Sequence, residues 1–122
     1  TTFGPHTPAQ WLELSRHMVK PVVGTDGAVT LHYDPAIAVP IARMTQESAR
    51  QGEALLWALY DAIPSQTLLL RGAESDLLTP LTARQMGERG PKARVLEFAG
   101  VGHAPTLIAD DQVDAVAHFL LG

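Results

Sequence analysis

An α/β fold with two parallel strands is predicted by three features of the second half of the chain. Thr67-Leu68-Leu69-Leu70 is a short continuous apolar run, as a strand covered on both faces requires. Arg94 to Phe98 form a second strand-like run. A helix separates the two runs and another follows, giving the order strand, helix, strand, helix. Strands linked in this way are parallel and joined by a right-handed crossover.

Taken from the start, Thr7-Pro8-Ala9-Gln10 has the pattern of a helix N-terminus. Thr is the cap, Pro takes the first helical position, and Gln closes a capping box. Trp11, Leu14 and Met18 follow at helical spacing, and Lys20-Pro21 is expected to end that helix. Val22 to Leu31 read as a small hairpin about Asp26-Gly27, a turn pair that tolerates positive φ. Asp34-Pro35 caps a short helix that Pro40 is expected to interrupt. Residues 53–63 form a strongly apolar helix containing Leu55, Leu56, Trp57, Leu59 and Tyr60.

After the first strand, Thr79-Pro80 opens a helix that Gly90-Pro91 closes, the usual Pro-in, Gly-out asymmetry. Asp110-Asp111 begin the last helix, with Val113, Val116, Ala117 and Leu120 as one apolar stripe. Residues 1–65 are mostly helical and irregular and form a separate layer; residues 66–122 are the βαβα unit.

The composition is that of a folded protein: 46% of the 122 residues are hydrophobic and 18% charged, which argues against disorder. That length suits one domain burying roughly two-thirds of its unfolded surface. The net charge of −4 is mild and the nine basic residues are dispersed, so no nucleic-acid partner is expected. There is no cysteine, hence no disulfide and no thiolate metal site, and a reducing, cytoplasmic setting is expected. No apolar run approaches the ~20 residues of a membrane span, and the N-terminus has no signal pattern. The chain starts at Thr1, not Met, which fits a processed or truncated start.

Chemistry concentrates at two strand ends. Asp76 follows the first strand in Arg71-Gly72-Ala73-Glu74-Ser75-Asp76, and His103 follows the second in Gly100-Val101-Gly102-His103. In an open parallel sheet, functional groups gather beyond the carboxyl ends of the strands, so adjacent strands bring both loops to one edge. A carboxylate bonded to one imidazole nitrogen fixes the tautomer and leaves the other nitrogen as a base. Gly100 and Gly102 permit a tight backbone path that aims the ring. Against this, a lone Asp after a strand is most often a turn former or N-cap, although Thr79 already caps the next helix. A lone His in a Gly-rich loop is more often structural. Ser75 reads as a loop hydrogen-bonding residue. His6, His17, His32 and His118 have no metal-ligand spacing and take structural or solvated roles, and Trp11, Met18, Leu55, Trp57 and Tyr60 are expected to pack, the alternative being that they line a substrate pocket in the lid.

Residues 67–108, with T-L-L-L-R-G-A-E-S-D-L-L-T and then G-P-K-A-R-V-L-E-F-A-G-V-G-H-A-P-T-L, resemble the C-terminal part of an α/β-hydrolase. The resemblance implies a partial α/β-hydrolase fold: a helical lid and return region over residues 1–65, then the βαβα end of the core over 66–122. It implies Asp76 as the triad acid and His103 as the general base. Gly4-Pro5, Asp26-Gly27, Tyr33-Asp34-Pro35 and the Leu56-Trp57 helix are similar to the lid region of bacterial members acting on small molecules. Ser65-Gln66 departs from the Cys-Pro or similar pair frequent in relatives before this strand.

The family's nucleophile elbow, G-x-S-x-G on a strand-to-helix turn, has no counterpart here. Ser15, Ser48, Ser65 and Ser75 all lack the flanking glycines, and the oxyanion-hole loop is absent too. The expected function is therefore that of a C-terminal part of a serine-type hydrolase cleaving an ester or related small-molecule bond, without a cofactor. Relatives with an Asp nucleophile, which open epoxides or displace halide, also use a His–acid pair. The chain alone is expected to be inactive and to pair with the missing N-terminal half or with a second copy. The alternative is a non-catalytic α/β interaction domain that keeps hydrolase-like loops.

Overall fold

The computed structural model describes residues 3–122. The chain divides into two compact units, one of residues 6–52 and one of residues 3–5 with 53–122, so the division falls inside a helix.

The first unit begins with helix α1 (Pro8–Ser15). Its capping box forms as the sequence predicts: Thr7 Oγ1 accepts from the Gln10 N–H, and Gln10 Oε1 accepts from the Thr7 N–H. The helix ends at Ser15, before Lys20-Pro21. There the Ser15 hydroxyl turns back to the Trp11 carbonyl at 2.8 Å, and β-branched Val19 starts a strand. The hairpin consequently begins earlier than Val22. Strand β1 (Val19–Pro21) pairs antiparallel with β2 (Val29–Leu31), with Val19 opposite Leu31, and the connecting loop includes Asp26-Gly27. Asp34 caps a 3₁₀ turn (Pro35–Ile37) by accepting the Ala36 N–H at 2.9 Å. Helix α2 (Ala38–Ala42) then contains Pro40 without interruption, because in a first turn the missing N–H has no partner to lose.

Helix α3 (Gln46–Asp61) starts well before residue 53. Thr45 and Ser48 close its first turn reciprocally, each side-chain oxygen accepting the other residue's N–H, at 2.9 and 3.1 Å. Its first turns are polar and carry no apolar period, so only the later half was visible as a helix.

In the second unit, β3 (Leu68–Gly72) and β4 (Arg94–Phe98) are parallel, with Leu68 opposite Arg94 and Gly72 opposite Phe98. Helix α4 (Pro80–Glu88) joins them, capped by Thr79, and α5 (Asp110–Leu121) closes the chain. This is the expected βαβα order. The end of α3 packs on α4: the Tyr60 hydroxyl donates to the Met86 carbonyl at 2.6 Å, and Trp57 meets Tyr60 edge-on. Arg89, just past α4, lies 4.4 Å over the Trp57 ring and pairs with Asp61. Gly90 (φ +55°) follows, where a Cβ would stand 2.8 Å from the Asp61 Cα. The buried apolar residues are few: Ala83, Ala93, Phe98 and Val101. Leu68 to Leu70 are only half-buried, since among the described residues β3 and β4 pair with each other alone. No helix among the described residues is long and apolar enough to cross a membrane.

Candidate functional site

The two loops meet through main chain. At Gly72, the last residue of β3, a Cβ would lie 2.1 Å from the Gly102 carbonyl oxygen and 2.3 Å from that of Val101. Only glycine admits this approach. Next to it the Ala73 N–H donates to the Phe98 carbonyl and the Glu74 N–H to the Val101 carbonyl, both at 2.9 Å. The segment leading to His103 is thereby hydrogen-bonded to the segment leading to Asp76. Gly100 takes φ +71°; Gly102 is not left-handed, and its contribution is the carbonyl against Gly72.

Arg71 organises the acid loop from beneath. Its side chain is 2% exposed and ion-pairs with Glu97, the residue directly opposite it in the β3–β4 register. Nε donates to the Leu78 carbonyl at 2.7 Å, and Nη2 reaches the Ser75 carbonyl at 3.5 Å. The loop therefore folds around a buried guanidinium whose planar fork suits several acceptors at once. Sequence reasoning assigned Arg71 no role. The available signal was an Arg closing an apolar strand with a Glu at the matching place in the next strand.

Ser75 is held on three sides. Its N–H donates to the Gly72 carbonyl at 3.0 Å, its Oγ accepts the Leu78 N–H at 3.0 Å, and its carbonyl faces Arg71. The same Oγ lies 3.1 Å from His103 Nδ1. This contact brings the two predicted loops together at side-chain level. Asp76, the next residue, is exposed and makes no side-chain hydrogen bond or ion pair among the described residues. His103 is half-buried. Past it, the buried Gln112 accepts the Leu107 N–H at 2.9 Å and anchors the return into α5.

The remaining histidines lie elsewhere. The His6 ring sits 4.8 Å from Trp11, His17 Nε2 contacts Arg16, and His32 and His118 are exposed. No group of three His, Asp or Glu among the described residues could hold a metal ion. An open apolar groove of about 310 Å³ runs between α3 and α4, lined by Leu56, Trp57, Tyr60 and Met86 together with Glu53 and Thr82. Trp57 and Tyr60 thus both pack and line a groove.

No family model matches the chain. A 3-hydroxybutyrate-oligomer hydrolase of Cupriavidus necator is 45% identical over 122 residues, covering 99% of this chain and 42% of that enzyme. An α/β hydrolase from Novosphingobium aromaticivorans superposes with a TM-score of 0.67 at 30% identity, over 93% of this chain and 38% of its own. A Rickettsia typhi protein assigned as a hydrolase gives a TM-score of 0.74 at 24% identity, over 98% and 38% respectively. The chain thus spans less than half the length of each of these relatives.

Proposed function

We propose, for a chain that carries the hydrolase-like C-terminal part of an α/β-hydrolase fold, that it supplies the base and acid of an ester-cleaving triad. His103 takes the proton of a nucleophile contributed by polypeptide outside these 122 residues, then returns it to the leaving alcohol. Asp76 stabilises the imidazolium formed as the proton is taken. The nucleophile is a serine in this reading, and no cofactor takes part. Similarity to the Cupriavidus necator enzyme favours a small oligomeric ester of a short hydroxy acid as substrate.

The observation that carries the proposal is the meeting of the two strand-end loops, with His103 Nδ1 3.1 Å from Ser75 Oγ beside Asp76. A triad needs its acid and base on neighbouring loops, and the main-chain seam that joins these two loops supports the reading. Co-expression with the preceding portion of the Cupriavidus necator hydrolase tests it. The complex should cleave a p-nitrophenyl ester and a 3-hydroxybutyrate dimer, while this chain alone should not. In the complex, His103→Ala and Asp76→Asn should each lower kcat by about 10⁴-fold. A folded complex whose turnover survives His103→Ala would refute the assignment and favour the non-catalytic reading.

A further inference from the structure

We infer that Gly52 is a hinge inside helix α3, the residue at which one continuous helix bends. The chain passes between its two compact units twice, between Pro5 and His6 and between Gly52 and Glu53. A glycine stands at or beside each crossing. At the first it is required. Gly4 is buried with φ +86°, and a Cβ there would stand 3.3 Å from Val101 Cγ2. At the second nothing requires it. Gly52 is not left-handed, and a Cβ there would meet no other part of the chain within 4 Å. One crossing is pinned, and the other is free to bend.

A glycine inside a helix carries a cost. Proline apart, it is the least favourable residue there, because its backbone has the most freedom to lose. That same freedom lets the φ and ψ of one residue absorb a change of direction. The surroundings of Gly52 do not oppose it. Every residue from Gln46 to Leu56 is exposed, so no packing clamps α3 on both sides of the glycine. Each side-chain hydrogen bond described for α3 also lies wholly to one side. Before Gly52, Thr45 and Ser48 close the first turn, and Gln51 Nε2 donates to Glu47 Oε1 at 2.7 Å. After it, the Tyr60 hydroxyl donates to the Met86 carbonyl and Asp61 pairs with Arg89. A bend at Gly52 therefore breaks none of these bonds. The hinge is independent of the chemistry proposed for His103.

Amide ¹⁵N–¹H residual dipolar couplings of the weakly aligned chain test the hinge, since they report the orientational order of each half of α3. Residues 46–51 should keep helical ¹³Cα shifts and yet fit a lower degree of order than residues 53–61. Gly52→Ala should remove the difference, because the added methyl has room and only backbone freedom is lost. Arg50→Ala, which alters an exposed helical position without touching the glycine, should leave the difference in place. A single degree of order along all of α3 in the unaltered chain overturns the inference. So does a difference that survives Gly52→Ala, or one that vanishes in Arg50→Ala. Non-helical shifts over residues 46–51 would mean fraying instead of a bend, and would refute it equally. None of these readings depends on ester cleavage, so the hydrolase proposal stands or falls apart from them.

Discussion

At Gly72 the absence of a side chain is a packing requirement, since the space a methyl would fill is taken by the Val101 and Gly102 carbonyls. Both obstacles are backbone, so relief requires moving a strand end and not a side-chain tip. Gly72→Ala should destabilise the chain by at least about 2 kcal/mol, read as a lower urea midpoint at unchanged slope. Arg71 presents the converse case, a charge buried where a hydrophobe would otherwise sit. Arg71→Met should cost about 2–4 kcal/mol, since the Leu78 and Ser75 carbonyls lose a donor and Glu97 loses its cation. Glu97→Gln should cost less, because Glu97 is half in water and can solvate itself.

Among the elements, the junction of α3 with the turn after α4 has a defined pH signature. The Arg89 hydrogen bond holds the Asp61 carboxyl below the ordinary value of 3.8, outweighing the desolvation that opposes it, with the Coulomb attraction of Arg89 a lesser addition. A lowered folded-state pKa stabilises at neutral pH, and the contribution fades as pH falls through the lowered value. Asp61→Asn should therefore lower the thermal midpoint at pH 7, and the gap from the unaltered chain should close below pH 3.8. At the other end of α3, Thr45→Ala should cost about 1 kcal/mol of helix stability, seen as faster amide exchange over residues 46–50. That Thr45–Ser48 turn shows where the sequence was hard to read. Elements defined by caps and apolar stripes, such as α1 at Thr7, α4 at Thr79 and β4 at Arg94–Phe98, were legible. The polar start of α3 and the three-residue strand at Val19 had no periodicity to betray them. In the candidate site, the meeting of the loops that carry Asp76 and His103 was legible from their strand-end positions. The Ser75 contact was not, because it depends on the close approach at Gly72 and on the Arg71 pair across the register.

On the scale of the whole molecule, each unit leaves large apolar side chains uncovered. In the unit of residues 6–52, Leu12, Val23, Ile37 and Ile41 are all more than half exposed. In the other, Leu56, Leu59, Leu81 and Leu120 are as open, and the two-stranded sheet has no further strand beside it among the described residues. Uncovered apolar faces and open strand edges drive association. We infer that the chain alone associates with itself, and that the preceding portion of a related hydrolase would compete for the same surfaces. Light scattering should show oligomers of the isolated chain that give way to a one-to-one complex on co-expression. A dispersed, stable monomer would contradict this.

The main-chain seam at Gly72 has one more consequence, and it concerns interchangeability. Because the two loops are fastened by carbonyls, amide protons and a buried guanidinium, the side chains at 76 and 103 are not needed to hold them together. Asp76 in particular is exposed and bonded to nothing among the described residues, so replacing it should change folding stability by less than about 0.5 kcal/mol. The frame thus works as a socket in which the side chains at 76 and 103 can be exchanged while the mount stays as it is. New chemistry could be fitted at these two positions, by selection or by design, without rebuilding the fold around them.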